Sequence, residues 1–191
     1  KSPFLKQVIE DVRDEVKKMT KLVSDLLVVA RSDNKALKLK PQKFNLSALI
    51  EQTARLMQPL ADQKKIDLQA EHLPKVEIQA DEQKIRQLVL ILVDNAVKYT
   101  PDGGEINFRA KETLFEEGLV HLRMEIKDNG IGMSEEFLQH IFEPFTQEQR
   151  SSRTHYKGTG LGMAITKKLV DQMHGSLDVE SEPGKGSTFI V

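Results

Sequence analysis

The stretch 6–31 constrains what this 191-residue chain can fold into more than any other part of it. Its apolar positions Val8, Val12, Val16, Met19, Val23, Leu26 and Ala30 are separated by steps of three or four, which is the spacing of one helical face. Neither Pro nor Gly interrupts it, and at about 1.5 Å per residue it predicts a rod of roughly 40 Å. Ile9, Leu22 and Leu27 widen the stripe, and no other segment offers a helix of similar length to cover it. A rod with an uncovered apolar face does not fold alone, so the reading is a bundle completed by another chain. The competing reading is an ordinary helix lying on its own domain.

Beyond the rod, residues 32–41 are polar and end in Pro41, a linker into a main domain that begins near residue 41. Leu49, Ile50, Thr53, Leu56, Met57 and Leu60 predict a second, shorter helix, stopped near Pro59 and the polar run after it. Residues 66–70 and 76–80 are short strand candidates. Asp81 is placed to cap a helix buried through Ile85, Leu88, Val89, Leu92 and Ala96, and the run Thr100-Pro101-Asp102-Gly103-Gly104 stops it. Strict alternation predicts strands over 105–111 and 120–127, joined as an antiparallel pair through Glu116-Glu117-Gly118. Ser134 caps a helix reaching Phe142. A loop of functional length, 143–160, then reads as a lid. A further helix carries Ile165, Leu169, Val170 and Met173 and closes at Gly175. Residues 176–181 and 187–191 make a last hairpin.

Composition excludes more than it selects. With 28 basic against 29 acidic residues there is no basic excess to hold a nucleic-acid backbone. The absence of cysteine removes disulfides, thiolate nucleophiles and zinc–thiolate sites. The longest apolar run, 88–93, is far short of the roughly 20 residues that cross a bilayer, so no membrane segment is expected here.

Three places could carry chemistry. On the helix starting after Asp81, Asn95 and Lys98 share a face, and an amide oxygen beside an ammonium suits a hydrated magnesium ion and the phosphates it carries. Taken singly, a solvated polar face explains the pair better. The run Lys127-Asp128-Asn129-Gly130-Ile131-Gly132 sets a carboxylate at a strand end, before two glycines that let backbone approach a ligand, and a buried acid there can read a base amine. A plain turn fits the same residues. Gly158-Thr159-Gly160-Leu161-Gly162 opens a helix and makes an anion cradle of free N–H groups. It lacks the dinucleotide fingerprint, since Met163 stands where Gly or Ala is required, and Gly184-Lys185-Gly186 is not a P-loop. That second run reads as a tight turn, with Thr188 in reach of a ligand.

The order of these motifs is jointly specific. Asn-Ala-x-Lys-Tyr, Asp-x-Gly-x-Gly, the pair Phe142 and Phe145, Gly-x-Gly-x-Gly and Gly-x-Gly-Ser-Thr-Phe resemble the ATP-binding domain of bacterial two-component sensor histidine kinases over residues 41–191. Residues 1–40, ending the rod in Lys21-Leu22-Val23-Ser24-Asp25-Leu26-Leu27, resemble the second helix of that family's dimerisation and phosphotransfer domain, with the linker. The resemblance implies an α+β fold: a two-layer sandwich of about three helices on a mixed five-stranded sheet, preceded by one long bundle-forming helix. It also implies ATP and Mg²⁺ as ligands, a homodimer through the rod, a response-regulator receiver domain as partner and a cytoplasmic setting.

By the same resemblance Asn95 coordinates magnesium, Lys98 meets phosphate and Tyr99 lies along the nucleotide. Asp128 accepts from the adenine amine, Gly130 and Gly132 shape the pocket, and Thr188 helps to hold the base. Phe142 and Phe145 anchor the lid, Arg150 is a lid cation near the phosphates, and Gly158, Gly160, Leu161 and Gly162 form its hinge and the phosphate cradle. Two departures stand out. Ile91 occupies the position, four residues before Asn95, where kinases of the family usually have Asn and hydrolytic relatives have Glu. It can neither activate water nor bind metal, which disfavours direct hydrolysis and removes one ligand on the magnesium side. The acceptor is the second departure, because none of His72, His121, His140, His155 and His174 fits the family's His-acidic motif. The expectation is therefore a kinase fragment inactive in autophosphorylation, with Lys98 and Arg150 as phosphate stabilisers and both ends cut from a longer protein. The alternatives are an ATPase or serine kinase of the same superfamily, or a degenerate nucleotide-binding scaffold.

Overall fold

In a computed structural model, the described residues are 3–31, 39–71, 77–114, 120–148 and 158–191. The chain divides into two compact units, Lys1–Leu37 and Lys38–Val191.

The first unit is one helix, α1 (Pro3–Arg31), of 29 residues. The described apolar side chains of its stripe, from Phe4 to Leu27, are exposed. That is the uncovered face the heptad-like spacing predicts.

The second unit runs β1 (Gln42–Asn45), α2 (Leu46–Gln63), β2 (Asp67–Glu71), β3 (Glu77–Ala80), α3 (Glu82–Tyr99), β4 (Glu105–Leu114), β5 (Val120–Asp128), α4 (Glu135–Leu138), α5 (Gly162–Gln172), β6 (Asp178–Glu182) and β7 (Gly186–Ile190). It is α+β, with a mixed five-stranded sheet in the order β2-β4-β5-β7-β6. β2 runs parallel to β4, and the other neighbours are antiparallel. β1 and β3 make a separate antiparallel pair. The alternation in β4 and β5 turns Ile106, Phe108, Ala110, Met124 and Ile126 to the inside. There they meet a helical layer in which α3 packs between α2 and α5, through Leu88, Val89, Leu92, Ile165 and Leu169 among others. Each such side chain contributes about 1.5–3 kcal/mol by leaving water.

Capping fixes where the helices start. Asn45 accepts from Ala48 N–H at 2.9 Å to open α2, and Asp81 accepts from Lys84 N–H at 3.1 Å to open α3. The second oxygen of Asp81 takes the Lys40 N–H at 3.0 Å.

Several expectations are corrected. Pro59 itself does not end α2, which continues to Gln63, within the polar run that follows. Proline costs the helix one hydrogen bond, but this one is exposed, and the following turn is held by fully buried Ala61. Leu56 and Leu60 are exposed rather than part of the buried stripe. β1 has no counterpart in the sequence reading, because four residues reading Gln-Lys-Phe-Asn carry no alternation to find. The helix after Ser134 ends at Leu138 and passes into turns before Phe142. α5 is terminated by His174, with φ 58°, rather than by Gly175. The turn 115–119 and residue 76 lie outside the described residues.

Candidate functional site

The C-terminal part of α3 supplies the first pieces. Asn95, Lys98 and Tyr99 are half-buried, not on a free solvated face. Asn95 Nδ2 donates to Met163 Sδ at 3.3 Å, across to the first turn of α5. The Lys98 ammonium donates to Tyr99 Oη at 2.9 Å and lies 4.5 Å from the centre of that ring.

The run 158–162 comes to the same place. A side chain on Gly158 would collide with Lys98 Nζ, and one on Gly162 would press on Ile91 Cγ2 at 3.1 Å and reach Asn95 Nδ2 at 3.8 Å. Leu161 is fully buried, so it can offer a ligand backbone only. No side chain caps the start of α5, which leaves its first N–H groups for an anion.

Asp128 ends β5 on the inward face of the sheet, 5% exposed. Its Oδ1 accepts from Gly130 N–H at 2.8 Å and from Ser187 N–H at 3.2 Å. Burial pushes the carboxyl above the ordinary aspartate range, and the two N–H groups pull back against that rise. Both bonds fall on Oδ1, so Oδ2 is the atom left to meet a ligand's donor. Behind it, Ser187 Oγ lies 2.9 Å from Ser181 Oγ, which in turn donates to the Gly186 carbonyl and accepts from Met133 N–H.

Two glycines allow this closeness. Gly186, at φ 98°, lies against the Asp128 carbonyl, and Gly132, at φ 62°, lies against the Glu182 carbonyl. Any side chain at either would overlap backbone and would also sit in a left-handed conformation. The same loop joins α3: Ile131 N–H donates to Tyr99 O at 3.1 Å.

The ends of the predicted lid 143–160 are tied together. Phe145 N–H donates to Gly160 O at 2.9 Å, and Gln147 Nε2 to Gly158 O at 2.6 Å. Phe145, 60% exposed as a residue, holds a left-handed backbone (φ 66°), and the bond it makes here comes from its main chain. Phe142 is half-buried in the turn before it. Arg150 and the rest of 149–157 lie outside the described residues.

The sequence profile of the histidine kinase-, DNA gyrase B- and HSP90-like ATPases matches residues 80–191. The chain belongs to this family. Within the ATPase family it is an ATP-binding catalytic domain of the histidine-kinase kind, as its relatives indicate. It is 30% identical over 188 residues to the autoinducer 2 sensor kinase/phosphatase LuxQ of Vibrio parahaemolyticus, covering 97% of this chain and 22% of that protein. It is 33% identical over 187 residues to the sensor protein SrrB of Staphylococcus aureus, covering 98% of this chain and 31% of that one. The chain thus spans less than a third of either relative. Among solved structures, full-length ShkA in complex with AMPPNP aligns over 99% of this chain and 38% of its own, with 30% identity and a TM-score of 0.81. The nucleotide-free catalytic domain of histidine kinase ThkA aligns over 79% of this chain and 93% of its own, with 26% identity and a TM-score of 0.63.

One site residue of this kinase-type ATPase domain falls elsewhere than expected. Thr188 pairs with Lys127 and Glu180, so it lies on the outer face of the sheet, opposite Asp128. Ser187 is the residue paired with Asp128, and the pleat turns it to the inside. Sequence reasoning missed it, although counting the alternation back from buried Phe189 would have found it. Ser181 and Met163 were missed too, and nothing local in the sequence marks them. Of the described histidines, His140 pairs with Glu143 at 2.8 Å, which raises its pKa, and His174 ends α5.

Proposed function

We propose that this site binds Mg-ATP and, in the intact protein, passes its γ-phosphoryl group to a histidine. The observation that carries the reading is the buried Asp128, whose Oδ1 is clamped by Gly130 and Ser187 while Oδ2 is left over. An acceptor held this way selects a base that presents an amine, as adenine does, and leaves a buried acid unpaired with one that does not. The triphosphate would extend toward Asn95, Lys98, Gly158, Gly160, Gly162 and the start of α5. There Lys98 exchanges its Tyr99 contact for phosphate oxygens. Gly130 and Gly132 shape the base pocket, with Tyr99 alongside.

Among the described residues no three His, Cys, Asp or Glu side chains are grouped to hold a metal. The donor set fits an ion carried by the nucleotide: Asn95 commits its Nδ2 to Met163 and keeps Oδ1 for one bond, and phosphates and water supply the rest. Mg²⁺ bound there would neutralise phosphate charge. Ile91, packed against Gly162, offers no ligand and no base, which favours transfer to an imidazole over hydrolysis. Catalysis by these residues is then positioning and charge neutralisation. In transfer, an imidazole nitrogen forms the bond to phosphorus and ADP leaves.

The exposed stripe of α1 supports assembly with a second copy, and the ThkA structure in complex with the response regulator TrrA supports a receiver domain as the next acceptor. No helix among the described residues is long and apolar enough to cross a membrane; a cytoplasmic setting follows from the kinase reading. Titration calorimetry with ATP, with and without Mg²⁺, tests the site: affinity is expected to rise with the ion, and no heat under either condition would end the proposal. Adding a helix that bears the family's acceptor histidine and assaying acid-labile phosphate then separates kinase from ATPase, which would release inorganic phosphate without it.

A further inference from the structure

The C-terminus of α3, which carries Lys98 and Tyr99, is closed by a residue from another helix. Each of its final carbonyls has an identifiable donor. Ala96 O takes Thr100 N–H at 3.0 Å, Tyr99 O takes Ile131 N–H at 3.1 Å, and Pro101 O takes Gly104 N–H at 3.1 Å. The remaining three belong to Lys64, the residue that ends α2. Its ammonium donates to Val97 O at 2.8 Å, to Lys98 O at 3.1 Å and to Thr100 O. An ammonium has three N–H donors, and here all three are used on one helix end. The charge also meets the negative end of the α3 dipole. Burial lowers the Lys64 pKa, and nearby Asp102 works against that fall.

We infer that Lys64 is a positioning residue for the phosphate end of the nucleotide site, fixing the backbone from which the Lys98 ammonium reaches the ligand. The inference rests on the Mg-ATP reading above. The base acceptor has its own bonds: Asp128 sits at a strand end on bonds from Gly130 and Ser187, with no bond to Lys64, and its loop meets the α3 end through the bond from Ile131 N–H to Tyr99 O. Loss of the Lys64 tripod therefore acts on Lys98 first. Arginine does not replace it, because a planar guanidinium fork does not match three carbonyls gathered around one nitrogen.

The test measures ATP and adenosine binding by calorimetry on the full chain. Lys64→Met keeps the apolar stem and removes the donors. It is expected to weaken ATP by about tenfold, a loss of about 1.4 kcal/mol, while adenosine shifts by less than about twofold. In the Lys98→Ala background the same change is expected to cost ATP nothing further, since a residue acting through Lys98 has nothing left to position. Lys64→Gln, which retains part of the donor set, covers the case in which Lys64→Met does not fold, judged by the same ATP-to-adenosine ratio. Equal losses for both ligands would show general loosening and overturn the inference, as would unchanged ATP affinity or a full additive loss in the Lys98→Ala background. A wild-type chain that binds neither ligand would instead overturn the Mg-ATP reading itself, and the inference with it.

Discussion

The two ends of the proposed nucleotide site are built differently. At the base end, Asp128, Gly130, Gly132, Ser181 and Ser187 are joined by strand pairing and backbone N–H groups, with positive-φ glycines seated directly against carbonyls. At the phosphate end, Asn95 leans on a thioether, Lys98 rests on an aromatic ring, and the run 158–162 is tied through Phe145 and Gln147. The first is a rigid reader in which one misplaced atom leaves a buried acid unpaired. The second is a set of exchangeable contacts suited to a ligand whose charge arrives with an ion. Selectivity belongs to the sheet, and adaptability to the helix ends.

That contrast can be broken by measurement. Asp128→Ala is expected to have the largest effect, about a hundredfold loss of ATP affinity by calorimetry, because the bond lost is charged and buried. A smaller loss than that of any phosphate-end variant would reverse the ranking. Asn95→Ala should cost about tenfold in the presence of Mg²⁺ and little in chelator, the signature of an ion-side ligand. Next, Ser187→Ala should weaken adenosine binding by about threefold while Thr188→Ala leaves it unchanged, as their opposite faces require. Equal effects would contradict the register.

The raised pKa of Asp128 sets a pH dependence. A carboxyl whose folded-state pKa lies above its unfolded value contributes stability below the unfolded pKa and loses it as pH rises through the folded one. Asp128→Asn is therefore expected to melt above wild type at neutral pH, with the gap closing as acid protonates the wild-type residue. ATP affinity should move the other way and weaken in acid, as Oδ2 loses its charge. A pH-independent gap between the two melting curves would refute the assignment. The smallest effect is outside the site: Lys65 holds φ 55°, so Lys65→Gly should raise stability by about 0.5 kcal/mol in a thermal melt, the relief of the left-handed backbone less the added freedom of glycine in the unfolded chain.

What the sequence made legible follows the reach of each interaction. The α3 boundaries were readable because Asp81, Thr100 and Pro101 act on their own neighbours, and β4 and β5 because alternation is local. Of the two stop signals for α2, the polar run held and Pro59 did not, because the burial of Ala61, a tertiary fact, outweighs a local breaker. The convergence of Asn95, Asp128 and the glycine runs was visible through their order along the chain, which resemblance could use and spacing alone could not. Ser187 was one residue away from the reading, an error that reverses a side chain's face in any strand. Lys64 was invisible, since its three acceptors lie more than thirty positions downstream.

One consequence follows from the strand order. β6 borders the sheet, and its exposed residues Asp178, Glu180 and Glu182 place like charges along that border. A neighbouring copy offering the same strand meets repulsion there, which blocks open-ended sheet stacking. Fibre-like growth along that border is thus disfavoured, in keeping with the proposal that two copies meet on the greasy flank of the first helix.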